Sequence, residues 1–250
     1  MAEQPPDVVA DLVVALRDAL VDALGADLVG LFLLGSVAFP GFEPHAADID
    51  FHAVVRDELT DKKRDRLAGV HAELARHYRH GGLIDGYYLP LEKARRPDVP
   101  KGLVGAGPGR ISRGTASNAA WALEREHVHR GKVIVLHGAD PATIYPRPTW
   151  LELEAALRGE RDWLVPELER APVYCVLNLC RIAYSFETRD VAVSKLQTAH
   201  WSLRTLPDRW HPLVEAALRG YAADLPACER DLLARELPAF LAYVDGRLPR

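Results

Sequence analysis

The sequence LFLLGSVAFPGFEPHAADIDFHAVV spans residues 31–55 and connects two apolar runs, 28–34 and 49–55. Each run is short and continuous, which is typical of a strand that is buried on both faces. Gly35-Ser36 follows the first run, and Asp48-Ile49-Asp50 begins at the start of the second. We therefore predict two buried strands, with a tight turn after the first and two carboxylates where the second begins.

The two aspartates need a physical explanation. Residues two apart in a strand point to the same face, so Asp48 and Asp50 share one face and Ile49 points to the other. An isolated buried charge is very costly, and two neighbouring like charges raise each other's pKa unless a cation lies between them. Mg²⁺ is commonly held by one or two carboxylates together with substrate phosphates. The pair therefore favours a magnesium site, although a solvated strand end is the ordinary alternative.

The Gly35-Ser36 turn and a third strand add to this interpretation. Glycine lets the backbone turn sharply and approach a ligand, while a serine hydroxyl and the N–H groups of a following helix bind phosphate oxygens. The stretch 83–91, LIDGYYLPL, reads as a third strand with Asp85 inside it. If this strand neighbours the strand 49–55, three carboxylates converge. Each feature alone is common, but their order along the chain favours a site for phosphate and metal.

The rest of the chain predicts an α+β protein in which residues 1–148 form a small mixed sheet flanked by helices. The proline-rich stretch 139–149 marks the boundary, and residues 149–250 have only helical patterns, which indicates an all-α bundle. A cleft between two such domains is a natural ligand site. In the first domain we predict helices over 7–25, 60–80 and 117–129, a fourth strand over 132–138 and a loop over 93–110. In the second domain we predict helices over 150–169, 172–187, 194–205, 210–223 and 228–245.

Bulk composition excludes several classes of protein. The 250 residues are 48% hydrophobic with a net charge of −4, so no basic surface predicts a nucleic-acid partner. No apolar run approaches the roughly 20 residues of a membrane span, and residues 1–9 lack the pattern of a signal peptide. The three cysteines lack metal-ligand spacing and are expected to be buried free thiols. We expect a cytoplasmic monomer that acts away from membranes.

At this point the sequence resembles a known family. Gly35-Ser36 followed by Asp48-Ile49-Asp50 is similar to the signature of the nucleotidyltransferase superfamily. VLNLCRIAYSFET (176–188), SKLQTAHWSLRTLP (194–207) and HPLVEAALRGY (211–221) resemble the C-terminal domain of the streptomycin/spectinomycin adenylyltransferases, and EREHVHRGKVIVLHG (124–138) is similar as well. The resemblance implies an N-terminal nucleotidyltransferase domain and transfer of AMP from ATP to a hydroxyl of an aminoglycoside or aminocyclitol antibiotic, which confers resistance.

The same resemblance implies roles for residues of the first domain. Two Mg²⁺ ions are implied, with Asp48 and Asp50 on the metal-binding positions. Gly35 and Ser36 fall where the family holds the triphosphate. Asp85 falls on the position of a glutamate that acts as catalytic base, and it completes the set of three metal-binding carboxylates.

In the second domain, Arg181, Lys195 and Tyr221 fall on positions that contact the nucleotide. Glu167 falls on an acidic position that contacts the cationic antibiotic. Without the resemblance we would interpret Arg181 as a surface ion pair, Lys195 as a helix-start lysine and Tyr221 as a core aromatic residue.

Three departures from the family pattern affect the function. Asp85 is one methylene shorter than the family glutamate, a second acidic residue after Glu167 is replaced by Ala171, and the usual serine before the first metal aspartate is Ala47. Two alternatives therefore stay open. In the first, the chain is a nucleotidyltransferase that modifies another acceptor, such as a protein side chain or a small metabolite. In the second, the chain is a catalytically weakened homologue that binds nucleotide.

Overall fold

The computed structural model describes residues 4–45, 47–112 and 114–249. The chain separates into two compact units, residues 1–148 and 149–250. In the first unit the elements are α1 (Ala10–Leu24), β1 (Leu28–Leu34), β2 (Ile49–Val55), α2 (Asp61–His77), β3 (Ile84–Pro90), α3 (Leu91–Ala94), β4 (Lys101–Gly107), β5 (Arg110–Ile111), β6 (Ala116–Ser117), α4 (Trp121–His129) and β7 (Ile134–Gly138). In the second they are α5 (Trp150–Leu164), α6 (Pro172–Thr188), α7 (Lys195–Thr205), α8 (His211–Ala222) and α9 (Ala227–Asp245).

The first unit is built on a mixed sheet with strand order β5-β4-β3-β2-β1-β7, and β6 pairs with β4. The β2–β3 pair is parallel, and the other pairs are antiparallel. The central position of β1 and β2 confirms that these apolar runs are buried strands. The mixed sheet and the helical second unit confirm the predicted α+β class.

The two faces of the sheet carry different side chains, because successive residues of each strand point to opposite faces. Ile49 and Phe51 point to one face, where they join a buried core with Leu16 and Leu20 of α1 and Leu67 of α2. The opposite face packs against α4 through a second core that contains Phe32, Leu34, Val54, Trp121 and Tyr145. By the same alternation, Asp50 lies on the face that α4 covers.

The prediction of a loop over 93–110 is wrong. The structure forms α3 at its start, β4 over Lys101–Gly107 and the beginning of β5 at Arg110. Four of the seven residues of β4 are glycine or alanine, which are depleted in strands. The strand propensity of this segment is therefore too low to predict β4. Its pairing with β3, where Gly86 faces Ala106, overrides that preference.

The second unit contains only helices among the residues that the structure describes, and α6 packs against α7, α8 and α9. Ser194 begins α7 with a capping box, in which its hydroxyl accepts from the backbone of Gln197 and the Gln197 side chain accepts from the backbone of Ser194. The predicted helix 150–169 is too long. In the structure α5 ends at Leu164, because Pro166 has no N–H for the next helical hydrogen bond. A 3-10 turn follows over Val165–Glu167.

The cysteine prediction holds for two of three residues. Cys175 and Cys180 are buried free thiols, whereas Cys228 is exposed, since it lies in the first turn of α9 on the side away from the core. Burial raises the pKa of Cys180 to about 12, so this thiol stays protonated and unreactive. Across the described part of the chain, no helix is long and apolar enough to cross a membrane.

Candidate active site

The turn after β1 lies directly against a carboxylate of β2. Gly35 has a φ of +61°, and a Cβ added to it would lie 1.8 Å from Oδ2 of Asp50. Both the backbone conformation and this close approach therefore require glycine. Ser36 Oγ donates a hydrogen bond to the carbonyl of Asp48 at 3.3 Å. The Gly-Ser turn and the two aspartates form one local structure.

The third carboxylate is brought to the same place by strand pairing. Asp50 and Asp85 are directly opposite each other in the parallel β2–β3 pair, so their side chains emerge on the same face. This confirms that the third strand neighbours the second. Asp85 is exposed on β3, yet partial loss of hydration of its carboxyl group raises its pKa, and the negative charge of Asp48 raises that pKa further. A hydrogen bond from the backbone of Gly86 acts in the opposite direction.

The donor set suits a magnesium ion that arrives with phosphates. Within the described residues, no group of three or more His, Cys, Asp or Glu side chains is arranged to hold a metal ion. Mg²⁺ needs less from the protein, since one or two carboxylates plus substrate phosphates and water complete its octahedron. Asp48 acts on Asp85 as a nearby like charge, and a divalent cation would relieve this repulsion. Oxygen ligands on one sheet face therefore fit the implied ion.

A pocket of about 430 Å³ adjoins Asp85 in the first unit. Its wall continues along β3 through Gly86 and Tyr87 and crosses to β4 and β5, most of which lies in the predicted loop 93–110. Apart from Asp85, Arg110 is the charged residue of its lining. The pocket therefore joins the candidate base to a segment that the sequence did not identify as part of the site.

Sequence reasoning also missed a buried polar cluster next to the aspartates. His52 lies two residues after Asp50 and hence on the same face, and it is 2% exposed. Its Nε2 lies 3.1 Å from Oε2 of Glu124 on α4, and Asn118 also donates to Glu124. Burial raises the pKa of Glu124, but the neighbouring His52 and the hydrogen bonds of His52 and Asn118 outweigh it and lower that pKa overall.

The buried cluster ties the site to the rest of the sheet. Nδ1 of His52 lies 3.2 Å from the hydroxyl of Tyr145, and its ring contacts that of Tyr87, which lines the pocket. The charge of Glu124 also contributes to the raised pKa of Asp85. The alternation Asp48, Asp50, His52 was a usable signal for His52. No pattern in the sequence marked Glu124 as its partner.

The predicted nucleotide residues of the second unit lie on three helices. Arg181 is on α6 and forms an ion pair with Glu160 at 3.6 Å. Lys195 begins α7, with its Nζ 4.0 Å from the ring centroid of Tyr174. Tyr221 is buried on α8, where it is 6% exposed. These neighbours agree with the ordinary interpretations of the three residues, so their contact with nucleotide stays a prediction.

Glu167, the predicted acceptor-binding acid, lies in the 3-10 turn after α5. Arg170 donates to its Oε2 at 2.6 Å through Nε, so its charge is partly neutralised within the unit. Ala171 is the N-cap of α6 and its N–H donates to the carbonyl of Glu167 at 2.9 Å. The position of the missing second acid therefore lies next to Glu167 in the structure.

Comparison with known proteins gives consistent findings. The family model of the aminoglycoside adenylyltransferase C-terminal domain matches residues 152–246. The chain is 23% identical over 237 residues to the spectinomycin 9-adenylyltransferase of Campylobacter jejuni, and the alignment covers 90% of each chain.

A solved structure has the same fold. The chain matches the crystal structure of the spectinomycin adenyltransferase AAD(9) from Enterococcus faecialis with ATP and spectinomycin, with a TM-score of 0.74. The match covers 93% of this chain and 98% of that one, at 17% sequence identity. At this identity the structural likeness shows a shared fold, and the chemistry has to be argued from residues.

Proposed function

We propose that the chain is a member of the aminoglycoside adenylyltransferase family, whose C-terminal domain model matches residues 152–246, and that it transfers AMP from ATP to a hydroxyl group of an aminocyclitol or aminoglycoside antibiotic. It is thus a nucleotidyltransferase, and spectinomycin is the first acceptor to test because both relatives described above are named for it. Resistance to such an antibiotic is the biological consequence that we propose.

One observation carries this proposal. The backbone of Gly35 lies so close to Asp50 that a Cβ would overlap its carboxylate, and Asp50 in turn lies opposite Asp85 on the neighbouring strand. A turn with accessible N–H groups suits phosphate oxygens, and carboxylates beside it suit the cation that accompanies them. A sheet that needed only stability would not require three acids on one face beside a turn position that only glycine can occupy.

The reaction assigns each residue of this face a task. We propose that Asp48 and Asp50, with Asp85, hold Mg²⁺, which when bound supplies positive charge beside the phosphates. Asp85 accepts the proton of the acceptor hydroxyl, and its raised pKa suits this role. The acceptor oxygen forms a bond to the α-phosphorus, the bond from that phosphorus to the bridging oxygen of the β-phosphate breaks, and pyrophosphate leaves with the bonding electron pair.

The remaining residues bind and orient the nucleotide and the acceptor. Gly35 and Ser36 contact the triphosphate, while Arg181 and Lys195 contribute positive charge to the nucleotide. Tyr221 contributes an aromatic contact to the nucleotide, and Glu167 pairs with a cationic group of the acceptor. Each of these assignments follows from the family position and from a side chain of suitable chemistry.

The test is pyrophosphate release by the purified protein with ATP, Mg²⁺ and spectinomycin, streptomycin or a deoxystreptamine aminoglycoside. Asp48→Asn and Asp50→Asn should each lower kcat at least about a hundredfold, since neutral amides are weak ligands for the ion that stabilises the transition state. Asp22→Asn is the matched control, because Asp22 is exposed on α1, which covers the opposite face of the sheet.

Two outcomes would contradict the substrate assignment. If the protein binds ATP but releases no pyrophosphate with any antibiotic, the acceptor is of another class. In that case a lysate incubated with labelled ATP should show an adenylylated protein or small metabolite. If Asp85→Glu creates activity where wild type has none, the chain is a weakened enzyme of the same family.

A further inference from the structure

The pocket beside Asp85 contains a positive charge that our proposed function does not use. Asp85, Tyr87, Gly105, Arg110, Ser112 and Ala116 line it, together with further small residues of β4. Asp85 is the proposed base, so the acceptor hydroxyl has to come to this part of the sheet. An acceptor bound there meets Arg110.

Arg110 is held at the pocket by the β4–β5 hairpin. Gly107 pairs with Arg110 and Ala106 pairs with Ile111, with a turn at Gly109 whose φ is +64°. Ser112 closes the hairpin, since its N–H donates to the carbonyl of Gly105 at 2.7 Å and its hydroxyl accepts from the N–H of Gly105 at 2.8 Å. The backbone that carries Arg110 is therefore fixed relative to Asp85 through β4 and β3.

The side chain of Arg110 is available to a ligand. It is exposed, and no hydrogen bond or ion pair joins it to another side chain in the described part of the structure. The other residues of the pocket lining are neutral apart from Asp85. The lining therefore contains one carboxylate and one guanidinium, and Arg110 is the positive charge that an acceptor meets beside the acidic residues of this face.

Amines and guanidinium groups respond differently to such a cation. An amine near a fixed positive charge can lose its proton, because the charge lowers its pKa. A guanidinium group stays protonated, since its pKa lies above 12. Repulsion by Arg110 therefore acts in full on a guanidinium-bearing acceptor and is partly relieved for an acceptor that carries amines.

We propose that Arg110 is a specificity-determining residue that disfavours acceptors bearing guanidinium groups relative to acceptors bearing amines. Streptomycin, which carries two guanidinium groups, represents the first class, and spectinomycin, which carries two secondary amines, represents the second. This inference rests on the proposed function, because it takes Asp85 and its pocket as the place where the acceptor is bound.

The experiment measures the ratio of kcat/KM for spectinomycin to kcat/KM for streptomycin in wild type and in Arg110→Gln. Arg110→Gln should raise kcat/KM for streptomycin about tenfold and change that for spectinomycin less than about threefold, because like-charge juxtaposition is removed. Arg110→Lys keeps the charge and should keep the wild-type ratio. Arg17→Gln is the matched control on α1, where Arg17 pairs with Asp18.

The salt dependence of the acceptor preference distinguishes an effect of the Arg110 charge from a merely structural effect. The preference of wild type for spectinomycin should shrink when potassium chloride is raised from about 0.05 M to 0.5 M, and the ratio of Arg110→Gln should change little. Thermal unfolding of each variant shows whether it is folded. If Arg110→Gln does not fold, Arg110→Met removes the same charge and keeps more of the aliphatic side chain.

The two proposals fail in distinguishable ways. Absence of pyrophosphate release with either antibiotic contradicts the proposed function, and equilibrium binding of both antibiotics with a non-hydrolysable ATP analogue then tests Arg110 alone. In that assay the ratio of the affinity for streptomycin to the affinity for spectinomycin should be about tenfold higher in Arg110→Gln than in wild type. An unchanged ratio, or no binding of either antibiotic by any variant, overturns the specificity role.

Discussion

At the scale of single residues, Gly35 shows how a backbone position serves a functional side chain. Its positive φ alone would cost another residue strain, but the second constraint is the carboxylate of Asp50, which occupies the space of a Cβ. The turn therefore determines where Asp50 points, in addition to directing the chain out of β1.

Gly35→Ala should lower kcat at least about tenfold and destabilise the protein by about 1–3 kcal/mol, because it strains the backbone and displaces Asp50. Pyrophosphate release and denaturant unfolding measure the two effects. Gly25→Ala is the control, since Gly25 also has a positive φ, +54°, but a Cβ there meets nothing within 4 Å. The control should lose stability and keep kcat, and an equal loss of kcat in both variants would contradict a role through Asp50.

At the scale of elements, α2 is joined to β3 through a buried histidine. His71 is 1% exposed, its Nε2 lies 2.7 Å from the hydroxyl of Tyr88, and its ring stacks on Phe51. Burial lowers the pKa of His71 to about 4. Burial also raises the pKa of Tyr88, so both partners are neutral near pH 7.

This histidine should make stability depend on pH. Above pH 6.5, the usual pKa of an exposed histidine, it is neutral in the folded and unfolded states, and its contribution is complete. As the pH falls from about 6.5 to about 4, the unfolded state takes up the proton first, which favours unfolding by about 3 kcal/mol in total. Denaturant unfolding at several pH values should therefore show a smaller loss of stability in His71→Gln than in wild type.

His77→Gln is the control on the same helix, because His77 is exposed. It should follow the wild-type dependence of unfolding free energy on pH. If His71→Gln loses as much stability between pH 6.5 and pH 4 as wild type does, the buried histidine is not the cause.

At the scale of the whole molecule, our proposal draws the nucleotide contacts from both units. The triphosphate is assigned to Gly35 and Ser36, and further contacts are assigned to Arg181 and Lys195. A ligand that binds only the folded state stabilises it by about 2.7 kcal/mol at a hundred times its Kd. For a chain of this size, ATP with Mg²⁺ should raise Tm by about 5–10 °C, which thermal unfolding measures.

The C-terminal contribution can be separated in the same assay. Arg181→Gln and Lys195→Gln should each reduce the rise in Tm that ATP causes, since each removes a positive charge assigned to the nucleotide. Arg235→Gln is the control, because Arg235 is exposed on α9 and pairs with Glu236 next to it. An unchanged response to ATP in Arg181→Gln and Lys195→Gln would limit the nucleotide site to the first unit.

Much of the site was predictable because its signals are local. Two apolar runs define β1 and β2, the Gly-Ser pair defines the turn, and alternation sets Asp48 and Asp50 on one face. The segment 101–112 was not predictable from such signals. Its glycines and alanines have little preference for strand structure, and only pairing with β3 makes it part of the sheet.

Local sequence patterns were enough to predict the helices and strands with clear periodicity, the carboxylates and glycine of the turn, and the resemblance to a family. Tertiary structure decided that Asp85 lies opposite Asp50, that Glu124 pairs with His52, and that Arg110 lies in the pocket beside Asp85. The two groups of features differ in how far apart along the chain the interacting residues are. Turns, caps and periodicity depend on neighbours in the chain, whereas these contacts join residues that only the sheet and α4 bring together.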